Sequence, residues 1–156
     1  MRIHLCVVGR LRAGPERDLV DDYTKRFDRT GRALGLGPLR VTEVEDRKGG
    51  GMAAEADLLR RALPSGARLC VLDERGSLMT SPDFADELAK RRDGGVQDMA
   101  FLIGGADGID PGLRAEADMA LSFGKMVWPH MLVRVMLTEQ LYRAASILAG
   151  SPYHRV

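Results

Sequence analysis

Five short apolar runs, at residues 3–8, 41–44, 69–72, 99–103 and 119–122, constrain this chain more than anything else in it. Each is rich in Val, Ile, Leu, Met or Phe and too short for a buried helix, and segments with helix-start signals or helical spacing separate them. A strand that is apolar on consecutive residues has no face to give to water, so both faces of its sheet must be covered. Strands alternating with helices meet that demand by building a mainly parallel sheet with helices on both faces. The expected helices run from about 16 to 33, opened by Pro15, then 53–63, from Ser81-Pro82 to 91, 111–116 and about 130–149, stopping at Gly150. Ser81 is the expected cap of the third. The RKGGGM segment between the second strand and second helix reads as a flexible loop, because three successive glycines are costly to hold in regular structure.

The chain has 156 residues, a length for one α/β domain covering 1–156, and no internal repeat or linker divides it. No apolar run approaches the roughly 20 residues of a membrane span. The opening MRIHLCVVGR lacks an extended apolar region and a small-residue cleavage site, so it reads as a first strand and not a signal peptide. Cys6 and Cys70 fall among Val and Leu in two strands, which reads as reduced, buried thiols, with a disulfide between adjacent strands as the competing reading. His4, His130 and His154 are far apart and there is no Cys-x-x-Cys, so no metal site is expected and a cytoplasmic protein is. A net charge of +1 is a weak footprint for a nucleic-acid binder. An RNA partner would need local patches: Arg10 with Arg12, Lys25-Arg26 with Arg29 and Arg32, Arg60-Arg61, or Lys90–Arg92. Each also reads as a solvated helix face.

Ligands of parallel sheets bind beyond the carboxyl ends of the strands. Those ends are Leu72-Asp73, Gly104-Gly105, and the loop Phe123, Gly124, Lys125, Met126, Val127, Trp128. Gly104-Gly105 lets backbone approach a ligand, or is simply a tight turn. It is followed by no Gly-Lys-Ser/Thr and lacks dinucleotide-fingerprint spacing. Phe123, Met126, Val127 and Trp128 suit a slot for a flat apolar group such as a purine, or an apolar loop packed under the sheet. On the final helix, Leu132, Val133, Met136, Leu137, Leu141, Ala144, Ala145 and Leu148 spread beyond one stripe. One face would meet the sheet and the other a second subunit, by a two-fold contact, with a central core helix in a monomer as the competing reading. Arg134 and Arg143 interrupt this apolar surface and are candidates for RNA binding or for stitching the dimer. The tail Ser151-Pro152-Tyr153-His154-Arg155 combines a stacking group, a proton carrier and a phosphate holder, against the default of a frayed terminus. No Gly-x-Ser-x-Gly elbow or Cys-His pairing supports covalent hydrolysis.

The runs LIGGADG, LSFGKMVWPHMLVRVMLTEQLYRA and SPYHR closely resemble the RlmH family, bacterial methyltransferases of the SPOUT class that modify pseudouridine in 23S ribosomal RNA. The resemblance spans essentially the whole chain and is most specific after Phe101. It implies an α/β fold whose carboxyl-terminal part, within about 70–156, is threaded as a trefoil knot. It also implies S-adenosyl-L-methionine as cofactor, held at Leu72, Gly104, Gly105, Phe123, Gly124, Lys125, Met126, Val127 and Trp128. Gly124, Trp128 and the Ala106-Asp107 pair depart from the family pattern. The implied enzyme is a homodimer that methylates N3 of a pseudouridine in the 23S rRNA of the assembled 70S ribosome, without metal or membrane.

Methyl transfer to an imide nitrogen needs alignment of the reacting atoms and help with the N3 proton. His154 is the leading proton acceptor, with Tyr153 holding the base and Arg155 on phosphate or the developing oxyanion; His130 is the rival. Two other readings compete: a SPOUT methyltransferase of tRNA, and a non-catalytic nucleotide- or ribosome-binding module.

Overall fold

The structure is a computed structural model that describes residues 1–155. Five strands, β1 (Arg2–Val8), β2 (Leu39–Val44), β3 (Arg68–Leu78), β4 (Asp98–Ile103) and β5 (Met119–Ser122), form one parallel sheet in the order β2-β1-β4-β3-β5. The helices are α1 (Pro15–Gly31), α2 (Gly51–Ala62), α3 (Ser81–Asp93), α4 (Pro111–Glu116) and α5 (His130–Leu148), with a 3-10 turn at Arg32–Leu34.

Side-chain alternation along the strands builds two cores. Ile3, Leu5 and Val7 of β1, Cys70 of β3 and Met99, Phe101 and Ile103 of β4 point to one face, where Phe27 of α1, Phe84 and Leu88 of α3 and Leu137 and Leu141 of α5 cover them. Cys6, Val8, Val71 and Leu102 point to the other, under Ala56 and Leu59 of α2 and Leu113 of α4. Helices therefore lie on both faces, as the two-sided apolar strands require. The cysteines lie in opposite cores with β4 between their strands, so both thiols are free and no bridge can join them.

Three local expectations need correction. The third helix is capped by Thr80 and not Ser81: the Thr80 hydroxyl accepts from the Asp83 amide at 3.2 Å. The second helix begins at Gly51, so the glycine loop is shorter than its composition implies. β3 continues past residue 72 to Leu78. Its polar second half pairs Ser77 and Leu78 with Leu121 and Ser122 of β5, after a break in register between Leu72 and Ser77. Gly76 makes this return path feasible, because a Cβ there would collide with the Ala120 main chain.

The crossover from β4 to β5 passes over β3 on the α4 face, whereas α3 joins β3 to β4 on the opposite face. The two connections part at the carboxyl end of β3, the position at which an open α/β sheet leaves a crevice.

Candidate functional site

A cavity of about 670 Å³ occupies that crevice, within the range of small-molecule sites. Its walls are three loops: 72–75 after β3, 103–109 after β4 and 121–129 running into α5, with His130 and Val133 from the start of α5. Leu72, Gly104, Gly105, Phe123, Gly124, Met126, Val127 and Trp128 all line it. Lys125, the remaining predicted cofactor-binding residue, is exposed and does not.

Each loop is held by its own chemistry. After β4 the chain turns back at once, with the Gly108 amide donating to the Gly105 carbonyl at 3.1 Å. A Cβ on Gly104 would strike the Gly108 carbonyl, so this glycine serves the turn's close return and not only the approach of a ligand. After β3, the Asp73 carboxylate, 6% exposed, accepts from the Arg75 amide at 2.9 Å and from its guanidinium at 3.1 Å, with Arg114 of α4 at 3.4 Å. Burial works against the Asp73 charge, but the Arg75 hydrogen bonds and the two cations outweigh it and hold the carboxyl below its usual range. The third loop is joined to the first by Ser122. Its buried hydroxyl lies 3.1 Å from the Glu74 carbonyl and 2.9 Å from the Gly124 carbonyl, and accepts from the Gly124 amide at 3.1 Å.

Asp73 was expected only as part of a strand end, and Ser122 was not expected at the site. Asp73 closes an apolar run, a position from which an Asx turn is legible. Ser122 has no such signal, because its partner is 48 positions away.

The predicted catalytic trio lies elsewhere on the chain. Tyr153 donates to the Glu139 carboxylate at 2.9 Å, packs on Tyr142 with ring centroids 4.6 Å apart, and carries the Arg143 guanidinium 4.7 Å above its ring. Arg143 donates to Glu139 at 3.0 and 2.7 Å and approaches His154 Nδ1 at 3.2 Å. Burial, reinforced by the Glu139 carboxylate, pushes the Tyr153 phenol up. The tail is thus folded against the second half of α5, on the order of 20 Å along the helix from His130 in the cavity wall. Arg155 is exposed. The structure does not bring the tail and the cavity of one chain together.

Arg134 is also differently placed from expectation. It is buried, donating to Glu43 at 2.9 Å and to the Gly9 carbonyl at 3.1 Å, so it is free neither for RNA nor for a partner subunit. Arg143 is committed to the tail. Several basic patches are neutralised locally: Arg26 pairs with Asp22, Arg60 with Asp57 and Glu116, and Arg92 with Asp93. Arg10 and Arg12 stand exposed beyond β1, at the same end of the sheet as the cavity. Met126, Val127, Trp128, Met131 and Leu132 form an exposed apolar run beside it. Among the described residues no group of three or more His, Cys, Asp or Glu is placed to hold a metal, and no helix is long and apolar enough to cross a membrane.

The site can therefore take a molecule with flat apolar and polar parts: apolar side chains supply one wall, main-chain groups of tight turns another, and Asp73 and Glu74 lie at its edge.

The sequence model of the family described as "Predicted SPOUT methyltransferase" matches residues 1–154. The chain is 72% identical to a protein of Ruegeria sp. (strain TM1040) and 74% identical to one of Dinoroseobacter shibae, each aligned over 156 residues and the full length of both chains. It is 73% identical, again over both full lengths, to one of Ruegeria pomeroyi. All three relatives carry the name Ribosomal RNA large subunit methyltransferase H.

Proposed function

The chain belongs to the SPOUT methyltransferase family, and from that premise we propose that it methylates large-subunit ribosomal RNA, using S-adenosyl-L-methionine as donor. In its finer form the reading is methylation at N3 of a pseudouridine in the 23S rRNA of the assembled 70S ribosome, by a cytoplasmic homodimer without metal. The observation that carries it is the convergence of the three strand-end loops on one cavity. These are the loops that the resemblance assigns to the cofactor.

The residues present fit that cofactor. The cavity volume suits a nucleoside joined to an amino acid, and Phe123, Val127 and Trp128 offer an apolar slot for a purine. Leu72 and the Gly104-Gly105 turn supply a wall of close backbone, and Glu74, exposed in the cavity lining, offers a carboxylate acceptor for hydroxyl or ammonium groups. When bound, S-adenosyl-L-methionine supplies an electrophilic methyl group. This chain's residues hold the reactants in line and manage the charge that develops when N3 loses its proton.

We place the trefoil knot within about 70–156 of a single domain, 1–156. The second pairing of β3 with β5 and the Ser122 bond to Glu74 support this, since both close the 73–76 segment over the chain. The apolar run from Met126 to Leu132 supports a dimer interface beside the cavity. The separation of tail and cavity within one chain supports a site in which Tyr153, His154 and Arg155 of one subunit serve the cavity of the other. Arg10 and Arg12 are the cations best placed to meet phosphate.

The test is incubation with methyl-labelled S-adenosyl-L-methionine and ribosomes from a strain lacking this gene, compared with isolated large subunits and tRNA. Label on large-subunit RNA, and only in assembled particles, is expected. Label on tRNA would redirect the specificity. Cofactor binding without label on any RNA would favour a non-catalytic module.

A further inference from the structure

We propose that His154 serves the reaction as a hydrogen-bond donor through Nε2, aimed at a carbonyl oxygen of the target imide, with Glu139 and Arg143 as the positioning residues that fix this tautomer. The proposal rests on the reading of the chain as a dimeric methyltransferase of an RNA imide nitrogen in which the tail of one subunit serves the cavity of the other, and it replaces the proton-acceptor role expected for His154.

The argument begins at the 3.2 Å contact between Arg143 Nη1 and His154 Nδ1. A guanidinium carries only donors. The contact is a hydrogen bond only if Nδ1 presents its lone pair, and the single proton of the neutral ring then sits on Nε2. A doubly protonated ring would turn N–H against N–H and cation against cation. Arg143 cannot readily swing away. Two of its nitrogens donate to one Glu139 oxygen at 3.0 and 2.7 Å, and its plane lies over the Tyr153 ring. That same Glu139 oxygen accepts from the Tyr153 hydroxyl at 2.9 Å, which ties the tail one residue before His154. The basic lone pair of the imidazole is therefore occupied by a cation that is itself clamped. What the ring offers outward is a donor.

A donor is also what the chemistry lacks. When the N3–H bond of the imide breaks, the electron pair stays with the base and spreads onto the flanking carbonyl oxygens. The proton passes to solvent hydroxide, giving water. A neutral imidazole N–H directed at one of those oxygens stabilises the anion without gaining or losing a proton, the part a neutral histidine can play as an electrophile. Tyr153 is not an alternative acceptor, because burial and the Glu139 carboxylate keep its phenol protonated. The arrangement thus assigns Tyr153 to holding the tail and His154 to the oxyanion.

The chain has three histidines, so long-range proton–nitrogen NMR on the full-length protein can assign each ring. The expected result is His154 with a bare Nδ1 and a protonated Nε2, a preference lost in Arg143→Met. A protonated Nδ1 in the wild type, or a tautomer indifferent to Arg143→Met, would overturn the proposal. The activity arm compares two tail variants on 70S particles. A glutamine amide can donate near the Nε2 position but cannot take up a proton. His154→Gln is expected to stay within about tenfold of wild type, while His154→Leu falls about 10²–10³-fold, the usual loss of one oxyanion donor. Equal loss in both variants would return His154 to the role of proton acceptor. Wild-type protein that labels no ribosomal RNA would instead overturn the underlying reading, and the donor role with it, leaving the tautomer as a fact about the Arg143 contact alone.

Discussion

Arg134, on the second turn of α5, donates to Glu43, on β2, at 2.9 Å with only 1% of its own side chain exposed. The same Glu43 oxygen accepts from the Leu11 amide at 2.6 Å, so one carboxylate joins the last helix to the second strand and to the loop after β1. Burial pulls the Arg134 guanidinium below its usual value while Glu43 opposes the shift. Glu43→Gln leaves a buried cation without its counter-charge and should cost about 3 kcal/mol, read from the midpoint of urea unfolding. Arg134→Met, which removes the charge and keeps the volume, should cost less.

Ser122→Ala removes the hydroxyl that connects the Glu74 and Gly124 loops. We expect about 1 kcal/mol of lost stability. We also expect weaker binding of S-adenosyl-L-methionine, because two walls of the cavity lose their mutual register. Trp128 is the only tryptophan in the chain and lines the cavity, so its fluorescence on titration reads the affinity directly. Unchanged affinity would show that the loops are held by their other contacts.

Asp98 accepts from Arg2 at 2.7 Å and meets His4 at 2.8 Å, at the start of β4. Hydrogen bonds from Arg2, then His4, hold its carboxyl down to about 2. An unfolded aspartate titrates near about 4. The sign follows from linkage: the folded state gains stability from this carboxylate above about pH 4, loses it as pH falls through the interval, and has none of it below about 2. Asp98→Asn should flatten the stability curve in that window and leave its shape above pH 5 unchanged, measured by unfolding at a series of pH values.

Burial pushes the Cys6 thiol up to about 11 and the Cys70 thiol up to about 12. Neither presents thiolate at pH 8. Iodoacetamide should leave both unmodified in the native protein and add two adducts after unfolding, counted by mass spectrometry. An adduct on Cys6 alone in the native state would show that the α2–α4 face opens.

Most of the sheet was legible because β1, β4 and the first half of β3 are apolar on successive residues, a pattern that two-sided burial explains; β2 is largely exposed and carries Arg40, Thr42 and Glu43. The site was legible in outline for the same reason: strand ends can be counted, and two of the three that form the site carry glycine or a clustered aromatic loop. The polar half of β3, from Asp73 to Leu78, looks like a loop in sequence because its pairing with Leu121 and Ser122 is non-local. Arg134 was visible as a charge in an apolar helix, but its partner on β2 lies 91 positions away. The tail is a mixed case. Glu139 and Arg143 stand four apart on one helix face, so their pairing can be read directly. That Tyr153 and His154 fold back onto that pair depends on the turn after Gly150, which no periodicity encodes.

The cavity's second wall, the Gly104 to Gly108 turn, is made of main chain whose shape tolerates no added carbon at Gly104. A competitive inhibitor gripping that wall would face a surface that point mutation cannot reshape without dismantling the turn. Escape variants would have to arise instead on the exposed rim, at Met126, Val127 or Trp128. On the proposal that this apolar run is also the subunit interface, resistance would carry a cost in pairing.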